Sequence, residues 1–181
     1  MPSPSSLAVW LTATSAAVAQ VPQFRPFVLP GVAFPLSNGF AAGDFDGDGD
    51  IDLTLISNLG PRVYRNAGSG ALEDITALLP GPIAGNQRTA AFVDVDGDGA
   101  KELLLTWSGL ARLLRWQNGA WLDISANLPA GLATISGAAA ADLDLDGDQD
   151  LVCAGSFLDA GTNQLLINDG AGHFTATFPF S

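Results

Sequence analysis

Three times in 181 residues the chain writes the same nine-residue loop: DFDGDGDID (44–52), DVDGDGAKE (94–102) and DLDLDGDQD (142–150). The copies begin 50 and then 48 residues apart, each with acids at positions 1, 3, 5 and 9 and a glycine at position 6. Two carboxylates about 4 Å apart repel by roughly 1 kcal/mol in water and by several times that at a protein surface. A chain that concentrates such charge must either stay disordered there or bring a counter-charge. Apolar runs flank every copy, GFAAGDF before the first and IDLTLIS or ELLLTW after the first two, and 48% of the chain is hydrophobic. Disorder calls for the opposite composition, so the loops lie within packed structure.

The recurrence extends beyond the loops. VYRN (63–66), LLRW (113–116) and LLIN (165–168) follow them, then ALEDIT (71–76), AWLDIS (120–125) and, more loosely, HFTAT (173–177). LLPG (78–81) and NLPA (127–130) come next, with VLPG (28–31) as an earlier copy. The chain is therefore an array, with repeats at about 37–80, 86–129 and 135–181 and an extra copy of the last strand at about 24–30. Each unit reads as short strands: one into the acidic loop, one out of it, one over RVYRN and its equivalents, and one over ALEDITALL (71–79) and its equivalents. Gly, Pro and Asn mark the joins. The fold class predicted is all-β, with four antiparallel strands in each unit of about 49 residues, the size of a β-propeller blade.

Charge narrows the partners. The net charge is −12, but 14 of the 19 acids sit in the three loops, which leaves the rest of the chain almost neutral. Without clustered Lys or Arg, a nucleic-acid partner is not expected. The single cysteine, Cys153, lies in the apolar run LVCAG and reads as a small core residue with no disulfide framework. The segment 1–19 has an apolar stretch from Leu7 to Val18 ending in Ala17-Val18-Ala19, the layout of a secretory signal peptide, although no Lys or Arg precedes it. It is too short for a membrane span, and no other segment is long enough. Secretion or a cell-surface location is the expectation, with 20–181 as the repeat domain.

The loops themselves point to a metal. Alternate positions of a tight turn aim several oxygens at one centre, and the position 6 glycine permits the turn. Hard oxygen donors in this number suit Ca²⁺, which accepts six to eight of them in flexible geometry. An EF-hand is excluded, because its twelfth position would be Leu55, Leu105 or Cys153 instead of a glutamate. The candidate ligands are Asp44, Asp46, Asp48, Asp50 and Asp52; Asp94, Asp96, Asp98, Ala100 and Glu102; and Asp142, Asp144, Asp146, Asp148 and Asp150. Position 7 (Asp50, Ala100, Asp148) varies as expected where a backbone carbonyl is the ligand. Three sites are expected, one at each join.

GDFDGDGDIDL, VDVDGDGAKEL and ADLDLDGDQDL, with VYRNAGSGALEDIT downstream, resemble FG-GAP/VCBS repeats, the calcium-loop propeller blades also found in integrin alpha subunits and in many secreted bacterial proteins. The resemblance spans about residues 24–181. It implies a propeller with Ca²⁺ between the first two strands of each blade, held at positions 1, 3, 5 and 9. It also implies a role in adhesion, in extracellular protein or carbohydrate binding, or as the propeller portion of a larger polysaccharide-degrading enzyme. Propellers close with about 4–8 blades, and three do not make a ring. The expectation is a fragment or truncated gene product, with subunits assembling into a ring, an open array or a non-functional remnant as alternatives.

A catalyst is not expected. His173 stands alone in the turn GAGHF, and no nucleophile elbow, zinc-protease or phosphate-loop motif occurs. Arg65 and Arg115 occupy matched positions, as part of a ligand surface or as structural repetition. Trp107, Trp116 and Trp121 are expected in the core or between blades rather than on a sugar-stacking surface.

Overall fold

A computed structural model of the chain describes residues 37–68, 71–83, 85, 87–107, 109–132, 134–155 and 163–177. The chain divides into units at Met1–Pro30 and Gly31–Ser181, and every described residue belongs to the second. The signal-like segment 1–19 and the strand copy at 24–30 lie outside the described residues.

Among the described residues, twelve strands form three four-stranded antiparallel sheets, each a meander of sequence neighbours. The first contains β1 (Ser37–Gly43), β2 (Asp52–Ser57), β3 (Arg62–Asn66) and β4 (Leu72–Asp74). The second contains β5 (Gln87–Val93), β6 (Glu102–Trp107), β7 (Leu110–Gln117) and β8 (Ala120–Asp123). The third contains β9 (Ile135–Ala141), β10 (Asp150–Gly155), β11 (Gln164–Asn168) and β12 (Phe174–Thr177). Each acidic loop joins the first two strands of a sheet. β5 lies against both β1 and β9, so the leading strands run side by side and the sheets fan outward from them.

Sequence and burial agree closely in the second sheet. β6 reads Glu-Leu-Leu-Leu-Thr-Trp because both its faces are covered, so the alternation that marks a one-sided strand disappears. Leu103 and Leu105 join Phe45, Val63 and Ile75 in a core between the first and second sheets. Leu104 turns the other way and joins Val93, Val95, Leu151 and Leu166 between the second and third. In the third sheet, the last among the described residues, the equivalent positions emerge: Leu143 and Val152 are 37% and 39% exposed, against 0% for Val95 and Leu104.

Aromatic residues fill the first seam. Phe45, from position 2 of the first acidic loop, packs on Trp121 at 4.7 Å and Trp116 at 5.2 Å, with Phe92 stacked at 6.3 Å. Trp116 and Trp121 are thus inter-sheet packing residues, and Trp107 also packs against this core. Cys153 is buried in the second core as expected, where burial pushes its thiol up to about 12.

One segment differs from the sequence reading. ALEDITALL is not a continuous strand: β4 ends at Asp74, and Thr76–Leu78 forms a 3-10 turn, repeated at Ser125–Asn127 after β8. The Asp74 carboxylate accepts the Thr76 amide at 3.0 Å and Asp123 accepts that of Ser125 at 3.0 Å, a local bond that competes with the strand ladder.

Candidate metal centres at the blade joins

The loops are shaped by their first aspartate. Asp44 accepts the amides of Gly47 (2.8 Å) and Gly49 (2.9 Å) on its two oxygens. Asp94 does the same for Gly97 and Gly99, and Asp142 for Leu145 and Gly147. The position 6 glycines Gly49, Gly99 and Gly147 take φ values of 92°, 93° and 102°, in the region that glycine tolerates best. At position 5, Asp48, Asp98 and Asp146 accept the amides of Asp50, Ala100 and Asp148.

The position 9 acid is a buried latch. Asp52 accepts the amide of Phe45 at 2.9 Å and that of Asn66 at 2.8 Å, tying the loop to the end of β3. Asp150 binds Leu143 and Asn168 in the same way, both at 2.8 Å. Glu102 keeps the loop contact, to Val95 at 3.0 Å, but its other oxygen accepts Arg115 Nε at 2.7 Å. Burial outweighs the amide bonds at Asp52 and raises its pKa to about 6. Glu102 is also raised, chiefly by burial.

Oxygens from Asp44, Asp46 and Asp48 lie within 4.8 Å of one another, as do those from Asp142, Asp144 and Asp146, and those from Asp94, Asp96 and Glu102. These are hard donors at a spacing that one divalent cation can span, so the residues of the first and third loops fit Ca²⁺, while in the second Arg115 lies against two of the three acids. The other candidates, Asp50, Asp52, Asp98, Asp148 and Asp150, are not in these groupings, and Ala100 has only its carbonyl to offer. Asp46 and Asp144 are raised by desolvation first and by the neighbouring Asp48 or Asp146 charge next.

Neighbouring sheets are tied through the loops. Lys101 N–H donates to the carbonyl of Asp44 at 2.9 Å, and Asp94 N–H to the side-chain oxygen of Gln149 at 3.0 Å. Asn168 Nδ2 donates to the carbonyl of Val95 at 2.9 Å. An open cleft of about 540 Å³ lies between the second and third loops, walled by Asp94, Asp96, Asp146, Asp148 and Asp169. His173 is exposed and pairs with Asp169 at 3.3 Å.

Sequence reading did not anticipate the latches or the arginine geometry. Arg65 pairs with Glu73 at 2.7 Å, whereas Arg115 reaches Asp96 at 2.8 Å and Glu102 at 2.7 Å. The signal was present in the repeat register, where Leu122 stands opposite Arg115 as Glu73 stands opposite Arg65.

Among the described residues no helix is long and apolar enough to cross a membrane. No curated protein matches the sequence. The profile of the FG-GAP-like repeat matches residues 44–105 and again 94–153, so that each match begins on an acidic loop and runs into the next blade. Together these matches cover more than half of the chain, which belongs to the FG-GAP-like repeat family, whose repeats are β-propeller blades.

Proposed function

We propose that this chain is a calcium-stabilised extracellular binding module, presented on a secreted or surface protein and engaged in adhesion or in protein or carbohydrate recognition. The observation that carries the reading is the convergence of carboxylate oxygens within 4.8 Å at each join of the first two strands of a blade. Asp44, Asp46 and Asp48 would hold the ion in the first loop, and Asp142, Asp144 and Asp146 in the third. When bound, Ca²⁺ supplies the positive charge that offsets the carboxylate repulsion, and its binding energy adds to folding. The position 1 acids order the turn, and the position 9 latches bring β3 and β11 to it.

The reading takes the chain as a binder and not a catalyst. It is supported by His173, which sits in an exposed turn paired with Asp169, and by carboxylates that cluster on one another at the blade joins. The signal-like segment supports export, as does the occurrence of the family in extracellular and surface proteins.

The test is the melting of the full chain by circular dichroism in excess Ca²⁺ and then in chelator, with mass by light scattering. A β-rich spectrum whose melting point falls sharply on chelation is expected. A melting point indifferent to Ca²⁺ and chelator overturns the calcium reading. A glycan array probed with the Ca²⁺-loaded chain then separates carbohydrate from protein recognition.

A further inference from the structure

We propose that Arg115 takes the place of a cation in the second acidic loop, so that the chain binds Ca²⁺ at its first and third loops and not at its second. The inference rests on the calcium reading above and divides the three loops that the repeat makes look alike.

The second loop is the least acidic. Its position 7 is Ala100 where the others have Asp50 and Asp148, and its position 8 is Lys101 where they have Ile51 and Gln149. Into this loop the Arg115 guanidinium projects, donating from Nε to Glu102 at 2.7 Å and ion-pairing through Nη2 with an Asp96 oxygen at 2.8 Å. Asp96 and Glu102 are two of the three acids grouped for a metal there. Arg115 thus engages one oxygen of each of two acids an ion would need, while the other Asp96 oxygen keeps no hydrogen-bond partner, and it supplies a fixed positive charge against an ion. Such a charge-assisted pair is strong where it is half-buried, and the Arg115 side chain is 26% exposed.

The other loops escape this for reasons written in the register. In the first blade the matched residue is Arg65, but its cross-strand neighbour Glu73 holds it in an ion pair at 2.7 Å, so its charge acts on Asp46 and Asp48 of the loop only at longer range. In the second blade that neighbour is Leu122, so Arg115 has no acid across the strand and turns to the loop. In the third blade the position is Ile167, opposite Thr175, and no arginine is present. Glu102 completes the arrangement. Its extra methylene, relative to Asp52 and Asp150, exchanges the latch on the β7 backbone amide for the guanidinium.

The test counts bound ions. The full chain is titrated with CaCl₂ and examined by native mass spectrometry, beside Arg115→Gln and Leu122→Glu. Leu122 is solvent-facing, so the second variant preserves every loop residue and restores the cross-strand acid that holds Arg65 in the first blade. Two ions are expected on the unmodified chain and three on each variant. Three ions of matched affinity on the unmodified chain, or two that stay two in both variants, overturn the inference and leave the calcium reading standing. No ion on any form sinks both.

Discussion

Gly43 packs against Phe92 so tightly that a β-carbon placed on Gly43 would lie 2.8 Å from that of Phe92. The two residues sit in the leading strands of adjacent sheets, and their approach sets the distance across the first seam. The atom in the way belongs to the base of the Phe92 side chain, which cannot swing aside. Gly43→Ala is therefore expected to lower stability by about 1–3 kcal/mol through overpacking. Gly39→Ala is the control, since its nearest atom would be Ile56 Cδ1 at 3.5 Å, an ordinary contact. Urea denaturation checks the pair, and equal midpoints for both variants would contradict the packing account.

Leu145 holds φ at 66° in the third loop, where the first two loops have Gly47 at 74° and Gly97 at 73°. A left-handed conformation costs a residue with a β-carbon about 1 kcal/mol or more. Its side chain is 86% exposed and recovers little of this by packing. Leu145→Gly relieves the strain but loosens the unfolded chain, so a net gain below about 1 kcal/mol is expected. The reverse change, Gly47→Leu, is expected to lower the melting point. A fall in melting point with Leu145→Gly would count against strain at this position.

Burial raises the Cys153 thiol from 9.0 to about 12. The folded state therefore keeps its proton over a range in which the unfolded chain loses it. The contribution is whole below pH 9, where both states carry the proton, and is lost as pH rises from 9 toward 12. Alkylation by iodoacetamide at pH 8 is expected only after denaturant is added. Full labelling of the native chain at that pH would show the thiolate to be accessible.

The repeat made the strand count and the loop positions legible, because each blade reuses one pattern of apolar strand, acidic turn and apolar strand. The metal groupings were legible in part. Positions 1, 3 and 5 converge in the first and third loops, as alternating residues of a tight turn must. The position 9 acids could not be read further than as acids. Whether Asp52 faces the loop centre or the amides of Phe45 and Asn66 depends on where β3 ends in space, and Asn66 lies 14 residues downstream. The strand read over ALEDITALL stopped early because the Asp74 carboxylate competed for the Thr76 amide.

The all-β class, the threefold register and the residues that crowd at each blade join follow from local pattern and spacing along the chain. Which strands are two-sided, which acids face one another and where each arginine points were set by the packing of strands and sheets. Those outcomes turn on distances across strands and between sheets. Leu122 in place of Glu73 is a single surface change along the chain, yet across the β7–β8 pair it leaves Arg115 without an acid beside it and directs a positive charge into one acidic loop of three.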